Sequence, residues 1–168
     1  MKPILLTMWF ALSAVSGAWA ADLKPYTGEP LPDFILRDLQ GQKHQLSNFK
    51  GKVVMVNFWA TYCTPCVKEM PSIQRLNSRL KDTQFQILAI DVAEDRAAIE
   101  AFLKRFKIAI TFPILIDTEG NVVEAWGVGT VPTTFIIDPQ GTLRYVHYGA
   151  LEWDSNQVVK TITSLLHK

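Results

Sequence analysis

Val56-Asn57-Phe58-Trp59-Ala60-Thr61-Tyr62-Cys63-Thr64-Pro65-Cys66 carries an apolar run directly into two cysteines separated by two residues. The run begins at Val53 and has Asn57 as its one polar residue up to Phe58, the pattern of a central strand covered on both faces. Behind the cysteines, Met70, Ile73, Leu76 and Leu80 recur at helical spacing, which predicts a helix from near Cys63 to about Lys81 with a kink at Pro71. The chain has 2 cysteines in all, and a lone C-x-x-C where a buried strand yields to a helix reads as a redox dithiol.

Working outward, Phe85 to Val92 reads as a second buried strand, and Asp95 opens a helix whose Ile99, Phe102, Leu103 and Phe106 share one face. Strand, helix, strand, helix implies a core of parallel strands. Phe34-Ile35-Leu36 and Gln42 to Leu46 flank the turn Asp38-Leu39-Gln40-Gly41 and read as a hairpin. Phe112 to Ile116 and Asn121 to Trp126 read as a short strand and a helical turn. Thr133 to Ile137 and Leu143 to Tyr148 flank Asp138-Pro139-Gln140-Gly141, a second hairpin, and a last helix is expected from an N-cap at Asp154 to His167.

At the N-terminus, Met1-Lys2-Pro3, the apolar stretch Ile4 to Val15 and the small-x-small Ala18-Trp19-Ala20 have the form of a secretory signal peptide cut after Ala20. The apolar stretch is shorter than the roughly 20 residues that span a bilayer, which favours cleavage; left uncut, it would tether the domain to the membrane. The expected division is therefore 1–20 signal, 21–31 aperiodic linker and 32–168 a single domain. Loss of Lys2 from 17 basic residues leaves the mature chain neutral against 16 acidic ones, which argues against nucleic acid as a partner.

A cysteine just before a helix has its sulfur near unpaired N–H groups and the positive end of the helix dipole, so Cys63 is the expected attacking thiolate. Cys66, one turn further on and more buried, is placed to resolve a mixed disulfide by attacking Cys63. Thr64-Pro65 keeps the intervening loop short, with proline where its missing N–H costs little. The competing readings are a structural bridge, which across three residues would add little stability, and half of a zinc site. Zinc needs further ligands, and His44, His147 and His167 lack ligand spacing, so no metal is expected. No G-x-G-x-x-G occurs, so no nicotinamide or flavin site is expected either, and the working group is the dithiol itself.

The cysteine segment, followed by Glu69-Met70-Pro71 and then Val131-Pro132-Thr133-Thr134-Phe135-Ile136-Ile137-Asp138, resembles the thioredoxin superfamily and, more narrowly, its exported TlpA/ResA branch of thiol:disulfide oxidoreductases. The resemblance covers roughly Pro32 to the C-terminus. It implies an α/β thioredoxin-like fold, a central mixed sheet flanked by helices, with an N-terminal β-hairpin and a short strand-helix insert. It implies a cis bond between Val131 and Pro132, lying against the cysteines and exposing backbone that pairs with a substrate chain. Thioredoxin has a buried aspartate at the position held here by Asn57, which cannot titrate; Glu69 matches an active-site glutamate of the exported branch and could exchange protons with Cys66 if it is buried. An exposed helical glutamate is the plain alternative. Trp59 and Tyr62, with Thr64 and Pro65, are expected at an apolar rim that docks protein substrates, although Trp59 reads almost as well as core.

The branch implies a periplasmic reductase of exported proteins with cysteine pairs, in cytochrome c or copper-centre maturation, fed by a membrane electron-donor protein. A disulfide-donating oxidase or isomerase and a non-catalytic binding module are the alternatives. The absence of room for a large helical insertion speaks against a DsbA-like oxidase. The dipeptide between the cysteines tunes the potential, yet no rule places Thr-Pro on that scale.

Overall fold

The computed structural model describes residues 23–166. The signal expected over 1–20 lies outside the described residues. The central apolar run is β4 (Val53–Trp59), every residue of which is buried, including Asn57. It pairs in parallel with β5 (Phe85–Val92), which pairs in parallel with β6 (Ile114–Asp117). On its other side β4 pairs antiparallel with β7 (Thr133–Ile137), followed by β8 (Leu143–Tyr148). The hairpin β2 (Ile35–Asp38) and β3 (Lys43–Gln45) extends the far edge by pairing with β6, and β1 (Lys24–Pro25) closes the near edge on β8. The order β1-β8-β7-β4-β5-β6-β2-β3 is a mixed eight-stranded sheet, the thioredoxin-like arrangement.

The helices α1 (Thr64–Leu80), α2 (Arg96–Arg105) and α4 (Asn156–Leu165) bury Met70, Ile73, Leu76, Ile99, Val158 and Ile162 against Met55, Trp59, Ile87 and Ala89 on one face of the sheet. The other face packs Val54, Val56, Phe58, Leu88 and Ile90 beneath α3 (Asn121–Ala125), where Trp126 meets Phe135 edge-on at 5.2 Å. Alternation along β4 thus sends Asn57 to the α1 side, with Met55 and Trp59.

Two local features differ from the sequence reading. Part of the expected linker, 21–31, is an edge strand: two residues containing a proline carry no periodicity, yet Tyr26 N–H bonds the Arg144 carbonyl at 2.9 Å and its ring packs on Phe135. The last helix is capped by Ser155, whose hydroxyl accepts from Val158 N–H; Asp154 is taken instead by the Arg75 guanidinium at 2.6 Å. Pro71 lies inside α1, which runs from Thr64 to Leu80, close to the expected span.

Candidate active site

Cys63 is the N-cap of α1, with extended backbone, and its sulfur accepts the Cys66 N–H at 3.2 Å. The two cysteines are joined as a disulfide with Cα atoms 5.2 Å apart. Cys66 is 0 % exposed and Cys63 7 %, so of the two sulfurs the first is the one a partner reaches. The Val131–Pro132 bond is cis, as the resemblance implies, and the Val131 carbonyl oxygen lies 3.6 Å from Cys63 Sγ. Pro132 is buried, its carbonyl fixed by Gly149 N–H at 2.8 Å, while Val131 is half-buried beside the sulfur.

The rim differs from expectation at one residue. Tyr62 is 71 % exposed, and Thr64 and Pro65 are exposed beside it. Trp59 is 0 % exposed and packs against Phe102 at 5.7 Å, because the strand alternation that turns Asn57 inward turns Trp59 the same way. Fully buried, it forms no part of the exposed rim.

Glu69 is 3 % exposed, one turn beyond Cys66 on α1. Its Oε1 accepts Asn57 Nδ2–H at 2.9 Å; its Oε2 accepts the Trp153 indole N–H at 2.9 Å and Leu151 N–H at 3.1 Å. Burial raises the carboxyl above the ordinary glutamate value, and these three donors only partly offset that. Asn57 also donates to Thr134 Oγ1 at 2.9 Å, while its Oδ1 has no partner among the described residues. The segment 151–153 that supplies two of the donors is fastened to α1: Ser72 Oγ accepts Trp153 N–H at 3.0 Å, and Arg75 pairs with Glu152 and Asp154. An open depression of about 300 Å³ is lined by Lys68, Glu69, Ala150, Leu151 and Glu152.

Nothing in the sequence marks Trp153 as a partner of Glu69, since the contact spans 84 positions. Trp153→Phe keeps the aromatic packing and removes one donor from the carboxylate. The pH at which Glu69 ionises is expected to rise, followed by the carboxyl ¹³C resonance.

The arrangement is a nucleophilic sulfur at a helix N-terminus, a shielded second sulfur, and a buried carboxyl one helical turn away, which together can carry out disulfide exchange. Among the described residues there is no group of three or more His, Cys, Asp or Glu that could hold a metal.

The comparisons agree with this geometry. Residues 27–146 match the AhpC/TSA family. The chain is 43 % identical over 124 residues to the thiol-disulfide oxidoreductase ResA of Geobacillus kaustophilus, covering 74 % of this chain and 70 % of that one. It is 37 % identical to ResA of Bacillus subtilis, covering 74 % and 68 %. Among solved structures, a Chlorobium tepidum protein assigned as the thiol:disulfide interchange protein DsbE superposes with TM-score 0.74 at 28 % identity over 86 % of this chain and 99 % of that one. The exposed lipoprotein thioredoxin Etrx1 of Streptococcus pneumoniae superposes with TM-score 0.68 at 28 % identity, over 80 % and 100 %. With the cysteine pair, the sheet order and these relatives in agreement, the chain belongs to the AhpC/TSA family of the thioredoxin superfamily, as a ResA-type thiol-disulfide oxidoreductase.

Proposed function

We propose that this oxidoreductase works as a reductase outside the cytoplasm, returning disulfides of exported client proteins to dithiols that then receive haem or copper. The observation that carries the mechanism is the buried Glu69, held by Asn57, Trp153 and Leu151 one turn from Cys66. In the reduced protein the Cys63 thiolate attacks one sulfur of the client disulfide; the client's other sulfur leaves as a thiolate and takes a proton from solvent. Cys66 then passes its proton to the Glu69 carboxylate and attacks Cys63 Sγ, which forms the intramolecular disulfide and expels the client's remaining thiolate. Two electrons move to the client, and the proton leaves Glu69 through the depression beside Lys68.

Tyr62, Thr64 and Pro65 form the exposed margin against which the client lies, and the backbone at Val131, held beside the sulfur by the cis bond to Pro132, pairs with its chain. The cycle closes when a membrane electron-donor protein reduces the Cys63–Cys66 disulfide. Export is supported by the Met1 to Ala20 sequence and by the resemblance to an exposed lipoprotein thioredoxin.

An oxidised peptide containing Cys-x-x-Cys-His, the haem-attachment pattern, tests the direction. Reduced protein is expected to reduce it nearly to completion, and oxidised protein to leave the dithiol peptide unchanged. Oxidation of the dithiol peptide by the disulfide form would make the protein a disulfide donor instead.

A further inference from the structure

Asp91, at the end of β5, is 0 % exposed, and neither of its oxygens has a donor at hydrogen-bond geometry among the described residues. What faces it is Glu94, through its carboxyl and its backbone amide. Ala93, between them, has φ 61, a left-handed conformation unfavourable for alanine, and the turn folds Glu94 back toward the strand end. Glu94 is only half-buried, and both of its oxygens are occupied: Oε2 accepts Thr61 N–H and Oε1 accepts the Thr61 hydroxyl, each at 2.6 Å. Thr61 stands two residues before Cys63, in a turn closed by Cys63 N–H on the Ala60 carbonyl at 3.2 Å. Asp91 therefore connects to the cysteine loop through a single intermediary.

The surrounding charged groups are otherwise engaged. Asp95 caps α2 through Ala98 N–H, and Arg96 is held by the Asp38 and Leu39 carbonyls and by Glu100. Asp117 on β6 accepts from the Val122 and Val123 amides, while Glu119, after β6, is exposed. Asp91's neighbours in the ladder are Trp59 on β4 and Ile116 on β6, neither of them titratable, and Cys63 lies at the far end of the Thr61 turn. Of all these, Glu94 alone acts on the Asp91 carboxyl. Two carboxyls that face each other without a cation cannot both be charged in a buried setting, so one holds a proton. Glu94 has two donors and partial solvation. Asp91, without either, keeps the proton.

We propose that Asp91 is a positioning residue for disulfide exchange: its protonated carboxyl donates to Glu94, which clasps the backbone and hydroxyl of Thr61 and so fixes the loop that presents Cys63. Loss of that proton sets two negative charges against each other, loosens the clasp and places a charge that opposes the Cys63 thiolate. The device is independent of the direction of exchange and of the client. Burial and the adjacent Glu94 raise the Asp91 carboxyl to about 8, so the clasp releases just above neutral pH.

The test is the Thr61 amide resonance of the oxidised protein, in which the cysteines do not titrate, followed from pH 5 to pH 10. The wild type is expected to shift with a midpoint near 8. In Asp91→Asn, whose amide donates to Glu94 at every pH, that step is expected to vanish. In Glu94→Gln the like charge is removed, and the step is expected to move to lower pH. The rate of Cys63 alkylation in the reduced proteins should carry the same extra step in the wild type and lose it in Asp91→Asn, with Asp91→Asn matching wild type below pH 7. A Thr61 resonance that does not titrate in the wild type, or a step unchanged in both variants, would overturn the proposal.

Discussion

Cys66→Ser is expected to stop turnover after the first half-reaction and leave the client attached to Cys63 through a mixed disulfide. The serine hydroxyl fills nearly the same volume at a position that is 0 % exposed, so the fold and the Cys63 nucleophile persist. What is lost is the second sulfur, which α1 holds one turn from the first. A positioned intramolecular group acts at an effective concentration that no external thiol reaches, so multiple turnover should fall by at least about 10³-fold. Mass spectrometry of the variant with an oxidised dicysteine peptide should show a stable 1:1 covalent adduct. Turnover at the wild-type rate would mean that Cys66 is not the resolving thiol. Cys63→Ser, by contrast, is expected to give no adduct, because the only remaining thiol, Cys66, is 0 % exposed.

Glu69→Gln is expected to slow resolution by about 10²-fold, the lower range for loss of a positioned proton acceptor. The substitution fits the site. Glu69 receives three donors, and the introduced amide can turn its oxygen toward Trp153 and Leu151 and its NH₂ toward Asn57. Asn57 can meet that NH₂ by turning its side-chain amide so that Oδ1 accepts from it; the Thr134 hydroxyl then donates to the same oxygen, and Asn57 Nδ2 takes the place where Oδ1 now has no partner among the described residues, at a modest cost in stability. A loss of rate larger than the modest loss of stability therefore separates a proton-transfer role from a structural one. The pH dependence adds a sign. Burial raises the Glu69 carboxyl, so its proton favours the folded state at low pH, and this contribution disappears as pH rises through the folded value. In Glu69→Gln that slope of unfolding free energy against pH should be absent over the same range. Unchanged resolution kinetics in Glu69→Gln would remove the glutamate from the mechanism and leave solvent as the proton acceptor for Cys66.

Local signals in the chain were strong where chemistry and periodicity coincide. The run from Val53 into Cys63 specified both the central strand and the helix that Cys63 caps, because a fully apolar strand and a helical apolar stripe are each readable within a dozen residues. Asn57 and Glu69 could each be singled out, one as the sole polar residue of the strand up to Phe58 and the other one helical turn after Cys66, but the hydrogen bond between them is seen only in the fold. Contacts between distant segments were not readable. Trp153 reaches Glu69 across 84 residues and Glu94 holds Thr61 across 33, and neither separation has a sequence signature. Aspartate and serine both cap helices well, so Asp154 and Ser155 were not distinguishable until Arg75 was seen to occupy the first. Trp59 beside the cysteines had two readings, and only the facing of β4 decided for the interior.

The most direct test of the account is the reduction potential of the Cys63–Cys66 pair, measured by equilibrating the purified domain with dithiothreitol or glutathione buffers. A reductase is expected to lie near or below thioredoxin's roughly −270 mV. A value near the roughly −120 mV of DsbA would contradict the account and make the protein a donor of disulfides.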